Sequence, residues 1–133
     1  MTHRILLCDD EVHILRAAEF KFKRAGYEVF CASDGEEGWQ MLQQHAPDAV
    51  VTDYQMPRLD GLGLIERMRS HESTAEIPVV LLTAKGFELP RQRLIEKWRL
   101  ANVLSKPFSP RKLLACVEEV LPAASTPTGD VQP

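Results

Sequence analysis

Five short apolar runs recur along the chain, each separated from the next by a segment with the three-to-four spacing of an amphipathic helix. That alternation is the pattern of βαβ units, and so of a parallel sheet covered by helices. The runs are Ile5-Leu6-Leu7-Cys8, Glu28-Val29-Phe30-Cys31, Ala49-Val50-Val51-Thr52, residues 77–82 and Asn102-Val103-Leu104-Ser105. The second is half polar and reads as an edge strand. The fourth is continuously apolar apart from Pro78 near its start, as expected of a strand buried on both faces.

The intervening segments read as five helices. Ile14, Leu15, Ala18, Phe22 and Ala25 line the first, and Gly26 ends it as a left-handed cap. Ser33-Asp34-Gly35-Glu36 has capping-box spacing and starts the second, with Trp39 and Leu42 facing the core and Pro47-Asp48 ending it. Leu62, Ile65 and Met68 mark the third. Pro90 suits the first turn of the fourth, whose stripe is Leu94, Ile95 and Trp98; Leu94 and Trp98 are either a docking surface or half-buried core contacts. Ser109-Pro110 caps the fifth, with Leu113, Leu114, Val117 and Leu121 on its core face. One domain therefore spans residues 1–121, and residues 122–133, rich in Pro, Ala, Ser and Thr, form a linker or frayed terminus.

With 133 residues there is room for one core. The hydrophobic share of 44% and charged share of 26% are those of a soluble globular protein, and the net charge of -3 argues against nucleic acid as a whole-surface partner. Arg91, Arg93, Lys97 and Arg99 share their helix with Glu88 and Glu96 and read as a solvated face. No apolar stretch approaches the roughly 20 residues that span a bilayer. The block at residues 5–8 is shorter than the roughly 7 to 15 residues of a signal peptide's apolar region, so a cytoplasmic location is the default. Cys8, Cys31 and Cys116 are widely spaced, read as reduced thiols rather than zinc ligands, and His3, His13, His45 and His71 read as surface residues with no ligand role.

The chemistry gathers where the strands end. Asp9 and Asp10 follow the first run, Asp53 the third, Thr83 the fourth and Lys106 the fifth. In a parallel sheet these positions converge on one crevice at the carboxyl edge. Three carboxylates there repel one another, and a hard divalent cation together with a lysine relieves the repulsion. The set reads as a Mg²⁺-assisted phosphoryl site. Taken singly, each aspartate is a helix cap or turn former, Thr83 a strand-end hydroxyl and Lys106 a solvated lysine; the ordered set outweighs those readings.

Asp9-Asp10-Glu11, Asp53-Tyr54-Gln55-Met56-Pro57 with Asp60-Gly61, Thr83-Ala84 and Lys106-Pro107-Phe108 stand in the order and spacing that resembles the receiver domain of two-component response regulators, over about residues 4–121. The resemblance implies a flavodoxin-like, doubly wound α/β fold: a five-stranded parallel sheet in the order 2-1-3-4-5 with five helices. It implies that Asp53 accepts a phosphoryl group from a sensor histidine kinase or histidine phosphotransfer protein. Asp10, Asp53 and the Gln55 backbone carbonyl are then Mg²⁺ ligands, with Asp9 acting through water. Lys106 and Thr83 hold phosphoryl oxygens, and a cis peptide precedes Pro107. Such a chain is a regulated binding module rather than an enzyme, its only turnover being self-phosphorylation and slow loss of its own phosphate. It contacts neither membrane nor nucleic acid directly, and the resemblance allows a phosphorylation-dependent dimer.

Two features depart from or individualise the pattern. Val103 stands three residues before the lysine, where the family usually carries an aromatic residue that follows the threonine on activation, so no aromatic swing occurs at this switch position. Gln55 and Lys85 occupy the positions that tune phosphoryl lifetime in the family. Among rival readings, a flavodoxin-type cofactor binder needs a glycine- and hydroxyl-rich cradle after the first strand, where Asp9-Asp10-Glu11 places negative charge. A phosphohydrolase with an aspartyl nucleophile needs a second acid where Gln55 stands. The remaining alternative is a phosphorylation-independent, receiver-like interaction module.

Overall fold

A computed structural model describes residues 2–84 and 90–121. The tail at 122–133, Lys85 and Glu88 lie outside the described residues. Five strands, β1 (Arg4–Cys8), β2 (Glu28–Ala32), β3 (Ala49–Asp53), β4 (Val79–Thr83) and β5 (Asn102–Ser105), alternate with α1 (Val12–Arg24), α2 (Gly35–His45), α3 (Gly61–Ser70), α4 (Arg91–Trp98) and α5 (Pro110–Val120). All neighbouring strands pair in parallel, in the order β2-β1-β3-β4-β5. The half-polar run is an edge strand, as its composition implied.

Strand alternation divides the core into two layers. Leu6, Cys8, Val50, Val79, Leu81 and Val103 pack beneath α2, α3 and α4, whereas Ile5, Leu7, Val51, Val80, Leu82 and Leu104 pack beneath α1 and α5. Every residue of β3 and β4 is buried. That explains why the strand runs read as unbroken apolar blocks rather than as alternating ones. None of the described helices is long and apolar enough to cross a membrane.

The helix ends follow local chemistry, with some shifts from the sequence reading. Gly26 adopts φ +98 just beyond α1. The N-cap of α2 is Asp34, not Ser33: its carboxylate accepts from Glu37 N at 2.8 Å, while Glu37 reaches back to Ser33 N at 2.8 Å. Helix α2 stops before Pro47, with Ala46 left-handed at φ 46. Pro78 stays outside β4, because it has no N–H for the ladder, and its carbonyl accepts from Val50 N at 3.0 Å. Ser109 caps α5 through Lys112 N. Leu94 is buried and Trp98 half-buried against the core, so the stripe on α4 is core contact. His13 and His71 are exposed, but His3 and His45 are half-buried, His45 by stacking on Phe30 at 4.0 Å between ring centres, against the surface reading of all four histidines. Cys8 and Cys116 are buried and Cys31 half-buried, all as free thiols.

Gly61 is fixed by crowding: a Cβ built there would lie 2.1 Å from the carbonyl oxygen of Asp53. Gly26, by contrast, has open space and needs only its left-handed backbone. Gly61→Ala is therefore expected to destabilise the fold by about 3 kcal/mol or more through backbone displacement, and Gly26→Ala by about 1–2 kcal/mol through the left-handed penalty. Urea unfolding of both variants checks the ranking; equal losses would show that the loop yields freely around Asp53.

Candidate functional site

The register places the polar residues. Cys8 pairs with Thr52 and Asp53 with Leu82, so Asp9, one residue past β1, stands level with Asp53 at the end of β3. Thr83 pairs with Ser105, which brings Lys106 to the same edge, and the Lys106 N–H continues the ladder to the Thr83 carbonyl at 2.8 Å. The peptide between Lys106 and Pro107 is cis.

Carboxylate oxygens of Asp9, Asp10 and Asp53 lie within 4.8 Å of one another. Lys106 Nζ reaches into the group, 3.2 Å from Asp53 Oδ2, 3.2 Å from Asp9 Oδ2 and 2.5 Å from Glu11 Oε2. Asp9 and Asp53 are buried, and Asp10 is exposed. Asp10, Glu11, Asp53, Tyr54, Gln55, Ala84 and Lys106 line an open cavity of about 380 Å³. Thr83 is buried beside Ala84 and is not among that lining. Val103, two residues inside β5, is buried below the site on the α4 side, and its carbonyl accepts from Arg91 Nε at 3.2 Å. The structure thus gathers Asp10, Asp53, Gln55 and Lys106 at one cavity, with Asp9 buried in contact with Lys106, Thr83 buried next to Ala84 of the lining, and Val103 apart from it.

The β3–α3 loop that carries Gln55 is pinned at both ends. Gly61 N donates to the Tyr54 carbonyl at 2.9 Å, and Asp60 caps α3 through Gly63 N at 2.8 Å. Arg58, left-handed at φ 70, ion-pairs with Asp34 at 2.6 Å and so ties the loop to the start of α2.

Sequence reasoning missed Glu11 as a member of the site. Its contiguity with Asp9-Asp10 was visible, but its pairing with Lys106 spans the whole length of the sheet edge in sequence and has no local signal.

Burial, and then the charge of Asp9, push the Asp53 carboxyl up to about 6 against the pull of Lys106. Burial likewise raises Asp9. Lys106 is opposed by its own desolvation, yet its pairs with Glu11, Asp9 and Asp53 hold it well above the usual lysine range. Asp9 Oδ2 is buried and makes no hydrogen bond among the described residues, despite its ion-pair distance to Lys106. An all-oxygen donor set with excess negative charge and a buried oxygen lacking a donor fits a hard divalent cation such as Mg²⁺.

Residues 5–118 match the response regulator receiver domain. The chain belongs to that family. Similar proteins include a probable transcriptional regulator, ycf27, of Cyanophora paradoxa, 38% identical over 125 residues, covering 94% of this chain and 51% of the relative. The alkaline phosphatase synthesis transcriptional regulatory protein PhoP of Bacillus subtilis is 35% identical over 121 residues, covering 91% of this chain and 49% of the relative. The chain spans about half the length of these curated relatives. Among solved structures, the chemotaxis response regulator CheY4 of Vibrio cholerae superposes with a TM-score of 0.83 at 26% identity, covering 91% of this chain and 100% of that one. A putative response regulator from Chloroflexus aurantiacus gives 0.81 at 34% identity, covering 90% and 97%. Receiver domains in general accept phosphoryl groups, interact with histidine kinases or phosphotransfer proteins and bind Mg²⁺ at an acidic pocket.

Because its folded-state value lies above the ordinary carboxylate range, Asp53 stabilises the cation-free fold fully below about pH 4, and that contribution is lost as pH rises through about 6. Asp53→Asn removes the titration. In EDTA at pH 7.5 the variant is expected to exceed the wild type by about 1–2 kcal/mol, less than the full shift because the cavity is open to water. The advantage should shrink as pH falls through about 6 and vanish only below about pH 4, as thermal unfolding across pH will show; an equal or less stable variant at pH 7.5 would contradict the crowding account.

Proposed function

We propose that this chain is a phosphorylation-dependent signalling switch in which Asp53 accepts a phosphoryl group from a histidine kinase or histidine phosphotransfer protein and thereby alters partner binding. The observation that carries this reading is the meeting of the Asp9, Asp10 and Asp53 carboxylates within 4.8 Å, with Lys106 at 3.2 Å from Asp53. A lysine so close to the nucleophile leaves Asp53 ionised for attack and stands ready to hold a phosphoryl oxygen.

Asp10, Asp53 and the Gln55 backbone carbonyl would hold Mg²⁺ directly, with Asp9 acting through water. Bound there, the ion supplies positive charge against the oxygens of the transferring group. The chain's own residues do the rest. An Asp53 oxygen forms the new bond to phosphorus as the donor's nitrogen–phosphorus bond breaks, and the imidazole leaves with the electron pair. Lys106 stabilises the charge on the equatorial oxygens. Thr83, buried next to Ala84 of the cavity lining, supplies a hydroxyl once the phosphoryl group has arrived. The chain does not turn over a separate substrate; self-phosphorylation and slow hydrolysis of its own acyl phosphate are its only reactions. The reading places it in the cytoplasm, and its output passes through a protein partner, a phosphorylation-dependent dimer, or a segment joined through residues 122–133.

Incubation with acetyl phosphate, followed by intact mass, tests the proposal. The expected result is a Mg²⁺-dependent gain of one phosphoryl group that is lost in Asp53→Ala and slowed at least about 10-fold in Lys106→Ala, the scale of losing one charged stabiliser. A chain that stays unmodified with this donor and does not bind beryllofluoride would instead be a phosphorylation-independent interaction module.

A further inference from the structure

We propose that Glu11 sets how readily Asp53 is phosphorylated, by competing with the incoming phosphoryl group for Lys106; the inference rests on the phosphoryl-acceptor reading above. An ammonium has three N–H donors. All three are engaged: Lys106 Nζ donates to Glu11 Oε2 at 2.5 Å, Asp53 Oδ2 at 3.2 Å and Asp9 Oδ1 at 3.5 Å. A phosphoryl oxygen on Asp53 can be held only if one of these bonds is released.

Burial decides which one. The side chains of Asp9 and Asp53 are 3% and 9% exposed, so in the cation-free resting state water cannot take the place of the ammonium at either. The Glu11 side chain is 46% exposed, so water can replace the ammonium at its carboxylate. Glu11 nevertheless makes the shortest of the three contacts, and its backbone is held in place: its N–H donates to Asp9 Oδ1 at 2.9 Å, and its carbonyl accepts from Ile14 N and Leu15 N at the start of α1. It also lines the cavity through which a phosphodonor enters, and adds negative charge in the path of an anion. Glu11 is thus a positioning residue: it occupies Lys106 in the resting state and gives it up as the bond from Asp53 oxygen to phosphorus forms and the donor's bond to phosphorus breaks. With acetyl phosphate as donor, that broken bond is phosphorus–oxygen and acetate leaves with the electron pair. Glu11 is not one of the three carboxylates that converge on a cation site.

Glu11→Gln keeps the length of the side chain and removes its charge. With saturating Mg²⁺, the rate constant for phosphorylation by acetyl phosphate is expected to rise about 3- to 10-fold, the effect of relieving one exposed charge contact. The rate should also depend less on ionic strength. In the Mg²⁺-free variant, the ¹⁵N resonance of Lys106 Nζ should move toward its position in the beryllofluoride complex of the wild type, which a merely structural role for Glu11 would not produce. A phosphorylated wild type with an unchanged or slower variant, or an unmoved Lys106 resonance, overturns this inference alone. A wild type that takes no phosphoryl group overturns the acceptor reading and this inference with it.

Discussion

A sheet covered on both faces leaves its inner strands no wet side. Every side chain of β3 and β4 is buried, and Thr52, a polar residue within them, spends its hydroxyl on the neighbouring carbonyl of Asp53. Charged groups can then stand only where strands end. Because all the strands run parallel, those ends lie along one edge, and the register brings Asp9, Asp53 and Lys106 together there. The acidic site is therefore a consequence of the sheet's dryness and direction. Crowding of the carboxylates follows from the same geometry, as does the need for Lys106 among them.

The loops that frame the edge are set by contacts too close for side chains. Gly61 lies against the Asp53 carbonyl, and a Cβ on Gly35 would meet the Leu59 carbonyl oxygen at 2.0 Å. These two approaches press the β3–α3 loop against α2, where the Arg58–Asp34 pair fastens it. Gln55 is thereby carried to the cavity without any contact of its own having to place it. Rigid placement matters for the proposed cation site, because a carbonyl ligand would contribute only if it were already in position when the cation arrived.

Much of this was legible in the chain. Apolar runs, the second and fifth of them interrupted by polar residues, marked the five strands, and since Asp9, Asp53, Thr83 and Lys106 are adjacent to those runs, finding the strands placed these residues along one edge. What stayed hidden involves partners distant in sequence. Arg69, on α3, looks like one more solvated helix residue, yet it is half-buried and donates to the carbonyls of Trp98, Arg99, Ala75 and Ile77. Glu11 and Lys106 meet only after the sheet has formed. The shift of the α2 cap from Ser33 to Asp34 is of another kind. Both residues are good caps locally, and the choice falls to Asp34 because its second oxygen finds Arg58 across the fold.

Val103 bears on how a change at the site would travel. A β-branched side chain has a restricted χ1 and little volume to move, and here it is packed with Leu81, Leu94 and Leu100. Residue 103 therefore cannot signal by swinging. Helix α4 is instead held by arginines at its two ends. Arg69 grips the carbonyls of Trp98 and Arg99, while Arg91 bonds the Val103 carbonyl and the Asn102 side chain, which in turn reaches Cys116 on α5. Thr83 is linked to β5 through its own carbonyl, which accepts from Lys106 N. The end of β4, Lys106, the β5 backbone, Arg91 and α4 are thus joined by one chain of hydrogen bonds that runs through backbone carbonyls and a guanidinium group rather than through the side chain of residue 103.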